Sequence, residues 1–328
     1  MGLTAASAEL SRRTARAAFF GELREPTGAK SFVYPMLSSE MPSDSDQETY
    51  PWLGQVPQLR EWTGLRDIKG LPDQSFAIPN RKWESTIMVD NDLIRRDKLG
   101  QVATRSRDMA RRASSHKEAL FVDTLLLGAA TNCYDGQFFF DTDHADPGAA
   151  FTTSQSNDIT TAIVLLTAPT VAEFETAVEA MLNNLRDFKD DQGEPWNFSE
   201  DLHWVIPTSF TKVARLVLGV GAEMAAADVS GATGAFRGEG TIHVSSFLKA
   251  RQTATSIGTA GDRFYLFNAG AEIQPIIYQT EREAEFETLG QGSDHSFKTD
   301  TTLYGVNGSY NMGYGPWQHV VSQTFTTA

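Results

Sequence analysis

From Asp97 to Leu127 the chain reads as one uninterrupted helix, and this stretch limits what the rest can build. Leu99, Val102, Ala103, Ala110, Ala113, Leu120, Phe121 and Leu125 recur at three- and four-residue spacing. Arg105, Arg107, Asp108, Arg111, Arg112, Lys117 and Glu118 supply the polar side. Small side chains dominate the middle of the contact face. Ala103, Ala110 and Ala113 let a sheet approach closely but bury little area themselves, so the helix depends on tertiary contacts. Gly128 is placed to stop it.

The other segments supply the partners. Thr170 followed three residues later by Glu173 forms a capping box ahead of a second helix, Val171 to about Phe188. Its apolar stripe is Phe174, Val178, Met181, Leu182, Leu185 and Phe188. The strand LHWVI follows, then a short helix after Pro207 with Phe210, Val213, Leu216 and Val217. From Phe264 onwards RFYLFN, IQPIIYQ, EFETL, TTLYGV and HVVSQTF read as strands. Between Trp62 and Asp90 the pattern is extended, and a projecting hairpin is expected. In its last segment Trp83, Ser85, Ile87 and Val89 share one face, and Lys82, Glu84, Thr86 and Met88 the other. Residues 1–58, with Pro35, Pro42, Pro51 and Pro57, read as an arm more than a core. The Gly- and Ala-rich stretch Gly219 to Gly240 reads as a mobile loop.

At 328 residues the chain has room for roughly two domains and a substantial core. Its one cysteine, Cys133, excludes an internal disulfide and fits folding in a reducing environment. No apolar run approaches the roughly 20 residues that cross a bilayer, and neither a signal peptide nor a myristoylation signal is expected. The net charge of −14 is uneven: residues 1–120 balance at +2, residues 121–328 at −16. An acidic body argues against DNA binding over most of the surface. Arg105, Arg107, Arg111 and Arg112 form a basic cluster, but Asp97, Asp108 and Glu118 interrupt it, and a solvated face or intersubunit salt bridges are expected there.

The segment most like an active site is YDGQFFFDTDH, residues 134–144. Asp141, Asp143, His144 and Asp146 could ligate a divalent cation and centre a metal-dependent hydrolase. Counted from Asp141, however, position six is Asp146 in place of Gly, and position twelve is Thr152 in place of Glu. A tight turn pinned by Phe138, Phe139 or Phe140 is the preferred reading, with no metal. The six histidines form no metal-binding pair, and no nucleophile elbow or nucleotide loop occurs. No catalytic residue and no cofactor are expected.

Four segments in order, REWTGLR (60–66), KWESTIMVDNDLI (82–94), YDGQFFFDTDH and LYGVNGSYNMGYGPWQ (303–318), resemble the major head subunit of Mu-like tailed phages and prophages, the T-type head protein family. The resemblance runs from about Phe19 to Val321. It implies an α+β chain with the HK97-type capsid fold: an N-terminal arm (1–58), an extended E-loop hairpin (59–96), a P-domain with the long spine helix (97–200 and 268–328) and an A-domain (201–267). It also implies a non-enzymatic coat protein of the virion, assembled in the host cytoplasm into pentamers and hexamers of an icosahedral shell. That shell would enclose double-stranded DNA without sequence-specific binding. Scaffold, portal and decoration proteins would be its partners, and no membrane. Trp62 and Trp83 would anchor the hairpin at a subunit interface, and Arg66 with Glu84 would set its polar register. Lys69, Lys82, Asn307 and Asn311 are not expected to cross-link. An encapsulin-like cargo shell without DNA is the alternative of the same fold.

Overall fold

The computed structural model describes residues 5–24, 32–53, 73–96, 100–144, 153–166, 168–190, 193–196, 201–219, 236–254, 262–290 and 292–327. The first third contains α1 (Ala5–Arg24), α2 (Tyr34–Leu37), β1 (Ser38–Pro42), β2 (Gln47–Leu53), β3 (Asp73–Pro79), β4 (Lys82–Asp90), α3 (Asn91–Arg96) and α4 (Gln101–Leu127). Then come β5 (Asp158–Ile163), α5 (Val171–Asp187), β6 (Leu202–Pro207), α6 (Thr211–Leu218), β7 (Thr241–Ser245) and α7 (Ser246–Ala254). The chain closes with β8 (Arg263–Asn268), β9 (Ile276–Leu289), α8 (Asp294–Thr299), β10 (Thr301–Tyr314) and β11 (Val320–Thr327).

One sheet has the order β1-β9-β10-β4, parallel between β1 and β9 and antiparallel elsewhere. The other has the order β5-β11-β8-β6-β7, with β2 and β3 paired apart as a two-stranded ribbon. The spine helix α4 serves two cores. Its first half sets Val102, Met109 and Ala110 beside Phe286 and Tyr304 of the first sheet. Its second half puts Phe121, Val122, Leu125 and Leu126 into the main core. There Phe174 stacks on Phe264 at 5.1 Å, and the expected capping box closes the start of α5.

The structure departs from the sequence reading in four places. Residues 5–24, read as arm more than core, form a helix that joins a core on α4: Ala15 and Phe19 are fully buried, and Phe19 lies 4.9 Å from Phe286. Ala, Arg and Leu favour helix, and Ala15, Phe19 and Leu23 recur every four residues, so the segment has a stripe to bury. Second, the ribbon is formed by β2 and β3, while β4 pairs with β10 from Asp90↔Thr301 to Lys82↔Ser309. Period-two alternation is the same for a hairpin arm and a sheet strand; only the partner differs. Asn80 makes the turn between them, its amide group reaching Ser43 Oγ at 2.8 Å and Ser45 O at 2.7 Å.

Third, the five-stranded sheet unites β6, β7 and β8 with β5 and β11, so boundaries at 200/201 and 267/268 cut through a continuous hydrogen-bonded layer. Fourth, Lys117 and Glu118, assigned to a polar face, are buried. Gly128 does end the spine helix, but for a different reason than a left-handed cap. Its φ is −58°, and a Cβ there would lie 2.6 Å from the Phe140 ring. Of the Gly219–Gly240 loop, residues 220–235 lie outside the described residues.

Candidate functional site

The YDGQFFFDTDH segment folds back on itself after α4. A turn over Cys133–Gln137, with Gly136 at φ 87°, carries Asp135 inward beneath His144. One Asp135 oxygen accepts the Cys133 thiol at 2.8 Å and the Gln137 N–H at 3.0 Å, and the other lies 2.7 Å from His144 Nδ1. His144 Nε2 lies 3.1 Å from Asn157 Oδ1. That oxygen also receives the Asp141 N–H, while the Asn157 amide nitrogen donates to Phe139 O. The His144 ring is stacked on Trp317 at 4.2 Å.

His144 has committed both ring nitrogens inward, away from Asp143, and Asp141 holds the N–H groups of Phe138 and Thr142. Asp143 is fully exposed, and its pKa is raised because its carboxyl shares a hydrogen bond with Asp141. Asp146 lies outside the described residues. Among the described residues, Asp141, Asp143 and His144 do not form a group of converging donor atoms. Cys133, Asp135 and His144 do converge, with donor atoms within 4.8 Å of one another, a grouping that sequence reasoning missed. Burial, with the Asp135 charge behind it, pushes the Cys133 thiol far above its ordinary value, and the protonated thiol donates to Asp135. Burial would also raise Asp135, but its bonds to His144, Cys133 and Gln137 outweigh that and hold it low. Because Asp135 stands between sulfur and imidazole, there is no nucleophile–base pair either. The cluster is a knot that pins the loop, and its one sequence signal was the Cys-x-Asp spacing before the histidine.

Of the assembly candidates, Trp62 and Arg66 fall in 54–72, outside the described residues. Trp83 is half-buried: its Nε1–H donates to Tyr310 O at 2.9 Å, and its ring lies 4.4 Å from His116. Glu84 is exposed and accepts from Thr86 Oγ1 at 3.1 Å. Asn311, weighed as a cross-linking group, is buried and donates to Pro79 O.

Sequence reasoning also missed the tethers of the projecting parts. Glu118 takes the backbone N–H groups of Val33 and Tyr34, tying the start of α2 to the spine. Lys117 pairs with Glu283 at 2.9 Å and lies over the rings of Tyr278 and Tyr310. At the root of the ribbon, the Tyr50 hydroxyl donates to Gln279 Oε1, Gln279 Nε2 donates to Ile78 O, and Ile78 fills the space that a side chain at Gly313 would need.

A spine helix bridging two cores, a helix-backed sheet and a ribbon leaving its edge define a capsid protein of the HK97-type fold. The procapsid protein of bacteriophage JBD30 has a similar structure, with a TM-score of 0.57 and 24% identity, over 99% of this chain and 77% of that one. The chain belongs to the Mu-like prophage major head subunit gpT family, whose pattern matches residues 14–169 and 235–327. It is 23% identical over 296 residues to the Mu-like prophage FluMu major head subunit of Haemophilus influenzae, covering 89% of this chain and 67% of that protein. It is 34% identical over 111 residues to the major capsid protein of Escherichia phage Mu, 34% of this chain and 36% of that protein. The family suggested by the motifs is the family found: the chain is a structural head subunit, not an enzyme, and it works as one of many copies in a capsid shell.

Proposed function

We propose that copies of this chain form the pentamers and hexamers of an icosahedral head that encloses double-stranded DNA, assembled in the host cytoplasm. The observation that carries this is the ribbon. Among the described residues β2 and β3 pair only with each other, and the tethers gather at their root, where Tyr50, Ile78 and Pro79 meet Gln279, Asn311 and Gly313. A two-stranded ribbon is marginal on its own in water, so its outer part requires a surface, which a neighbouring subunit supplies. In this arrangement Gln47 to Pro79 is the E-loop. Trp62 and Arg66 lie outside the described residues, while Trp83 and Glu84 belong to the sheet edge beside its root.

Scaffold, portal and decoration proteins complete the set of partners. Negative-stain electron microscopy of the expressed protein tests the proposal: closed shells or capsomer rings are expected, and a persistent monomer across assembly conditions would sink it. Nucleic acid inside native particles separates a head from a cargo shell.

A further inference from the structure

We propose that the outer surface of α1 and the first half of α4 binds the phosphate backbone of duplex DNA, so that this side of the subunit faces the packaged genome. The proposal rests on the shell function above and adds a direction to it. Packing through Ala15, Phe19, Val102, Met109 and Ala110 lays the two helices side by side. Arg13, Arg16 and Arg24 of α1 thereby join Arg105, Arg107, Arg111 and Arg112 of α4, and all seven are exposed.

Of the acidic residues that break this cluster in sequence, Glu118 leaves the face in space and Asp108 stays on it, paired with Arg111. Glu118 turns inward to Val33 and Tyr34. Glu22 and Asp108 both engage Arg111, at 2.9 and 3.3 Å. Asp97 lies outside the described residues. Among the described residues, no carboxylate lies within salt-bridge distance of Arg105, Arg107 or Arg112.

The far side of the slab, among the described residues, lacks such an arginine cluster. Cross-strand register puts Met88, Leu303 and Leu289 in one row, Thr86, Gly305 and Glu287 in the next, and Glu84, Asn307 and Glu285 in a third. Glu84, Glu285 and Glu287 are exposed there together with Lys82, and Arg282 pairs with Glu285 at 3.7 Å, so that face is mixed in charge. A chain of net charge −14 thus concentrates arginine on one wall. Guanidinium groups suit phosphate oxygens, and such contacts carry no sequence preference. Phe19 is buried and Phe20 lies under the Arg16 guanidinium, so no free ring is offered to an unpaired base, and a duplex is the fitting ligand.

The test is titration of a short fluorescent DNA duplex with the purified, unassembled full chain at several salt concentrations. Affinity should fall linearly with log salt. R105Q/R107Q/R112Q should weaken binding about 10-fold or more and reduce the salt slope by up to about 3, while R105K/R107K/R112K retains most of both. A Gln variant that melts like wild type yet binds DNA as wild type does would overturn the proposal. So would polyglutamate binding as tightly as the duplex, which would make this an acidic-protein surface. A Gln variant that no longer forms shells would also overturn it, by making the arginines intersubunit contacts. Failure of the wild type itself to form shells, with DNA binding intact, would count instead against the shell function.

Discussion

The buried carboxylate of Glu118, 1% exposed, receives the backbone N–H of Val33 at 2.9 Å, across 85 residues of sequence. This bond, with its companion to Tyr34, joins the N-terminal segment to the spine helix. Burial raises the Glu118 pKa against the pull of both amides, and among the described residues its second oxygen has no hydrogen-bond partner. A carboxyl raised in the fold contributes stability below its ordinary value of about 4.3, and that contribution is lost as pH rises through the raised value. Thermal melts of wild type should therefore lose stability over that window, while E118Q stays flat and meets wild type at the acid end. E118A should lose about 1–3 kcal/mol, with faster hydrogen exchange at the amides of Val33 and Tyr34.

His319 titrates with the opposite sense. Burial lowers its pKa to about 4, and its Nε2 accepts the Trp196 indole N–H at 2.9 Å, a bond that requires the neutral ring. The unfolded chain takes up the proton near pH 6.5, so the stabilisation is present above that value and is lost as pH falls towards 4. The loss is roughly 3 kcal/mol at the acid end. H319Q keeps an acceptor without titrating, and its melting temperature should fall less than that of wild type between about pH 6.5 and 4.

Gly128→Ala should destabilise the subunit by about 1–3 kcal/mol, because the added methyl meets the Phe140 ring and not open space. Phe140→Leu in the same chain should return part of the loss. Equal stability of Gly128→Ala and wild type in urea would show that the helix end needs no close approach.

Asp135→Ala removes both carboxylate oxygens of the knot, the one that accepts the Cys133 thiol and the Gln137 amide and the one that faces His144. Breaking a buried charged partner of this kind costs about 3–5 kcal/mol. A chelator should leave the wild-type melting temperature unchanged and elemental analysis should find no stoichiometric metal, because the donors already satisfy one another.

Trp62 and Trp83 should separate when each is replaced by Ala. Trp83 bonds Tyr310 O and packs on His116 within its own subunit, so its loss should lower subunit stability by about 2 kcal/mol. Trp62→Ala should leave the subunit melt unchanged and reduce particle yield. Full yield from Trp62→Ala would remove that residue from the interface.

What the sequence determined on its own was local. The capping box of Thr170 and Glu173, the spine periodicity up to Gly128 and the inward face of Trp83, Ile87 and Val89 are each written within a few residues of one another. Backbone propensity and side-chain period act over that range. The ordered motifs were equally legible and pointed to the right family.

Tertiary structure decided everything that depends on which segment meets which. It paired β4 with β10, folded the N-terminal stretch into a helix on the spine, and turned Glu118 inward. It moved His144 from a supposed ligand set to Asp135 and gathered arginines from two helices onto one wall. An alternating strand carries no label for its partner, and a charge carries none for its burial. Both follow from the path of the chain between distant residues, and no local pattern records that path.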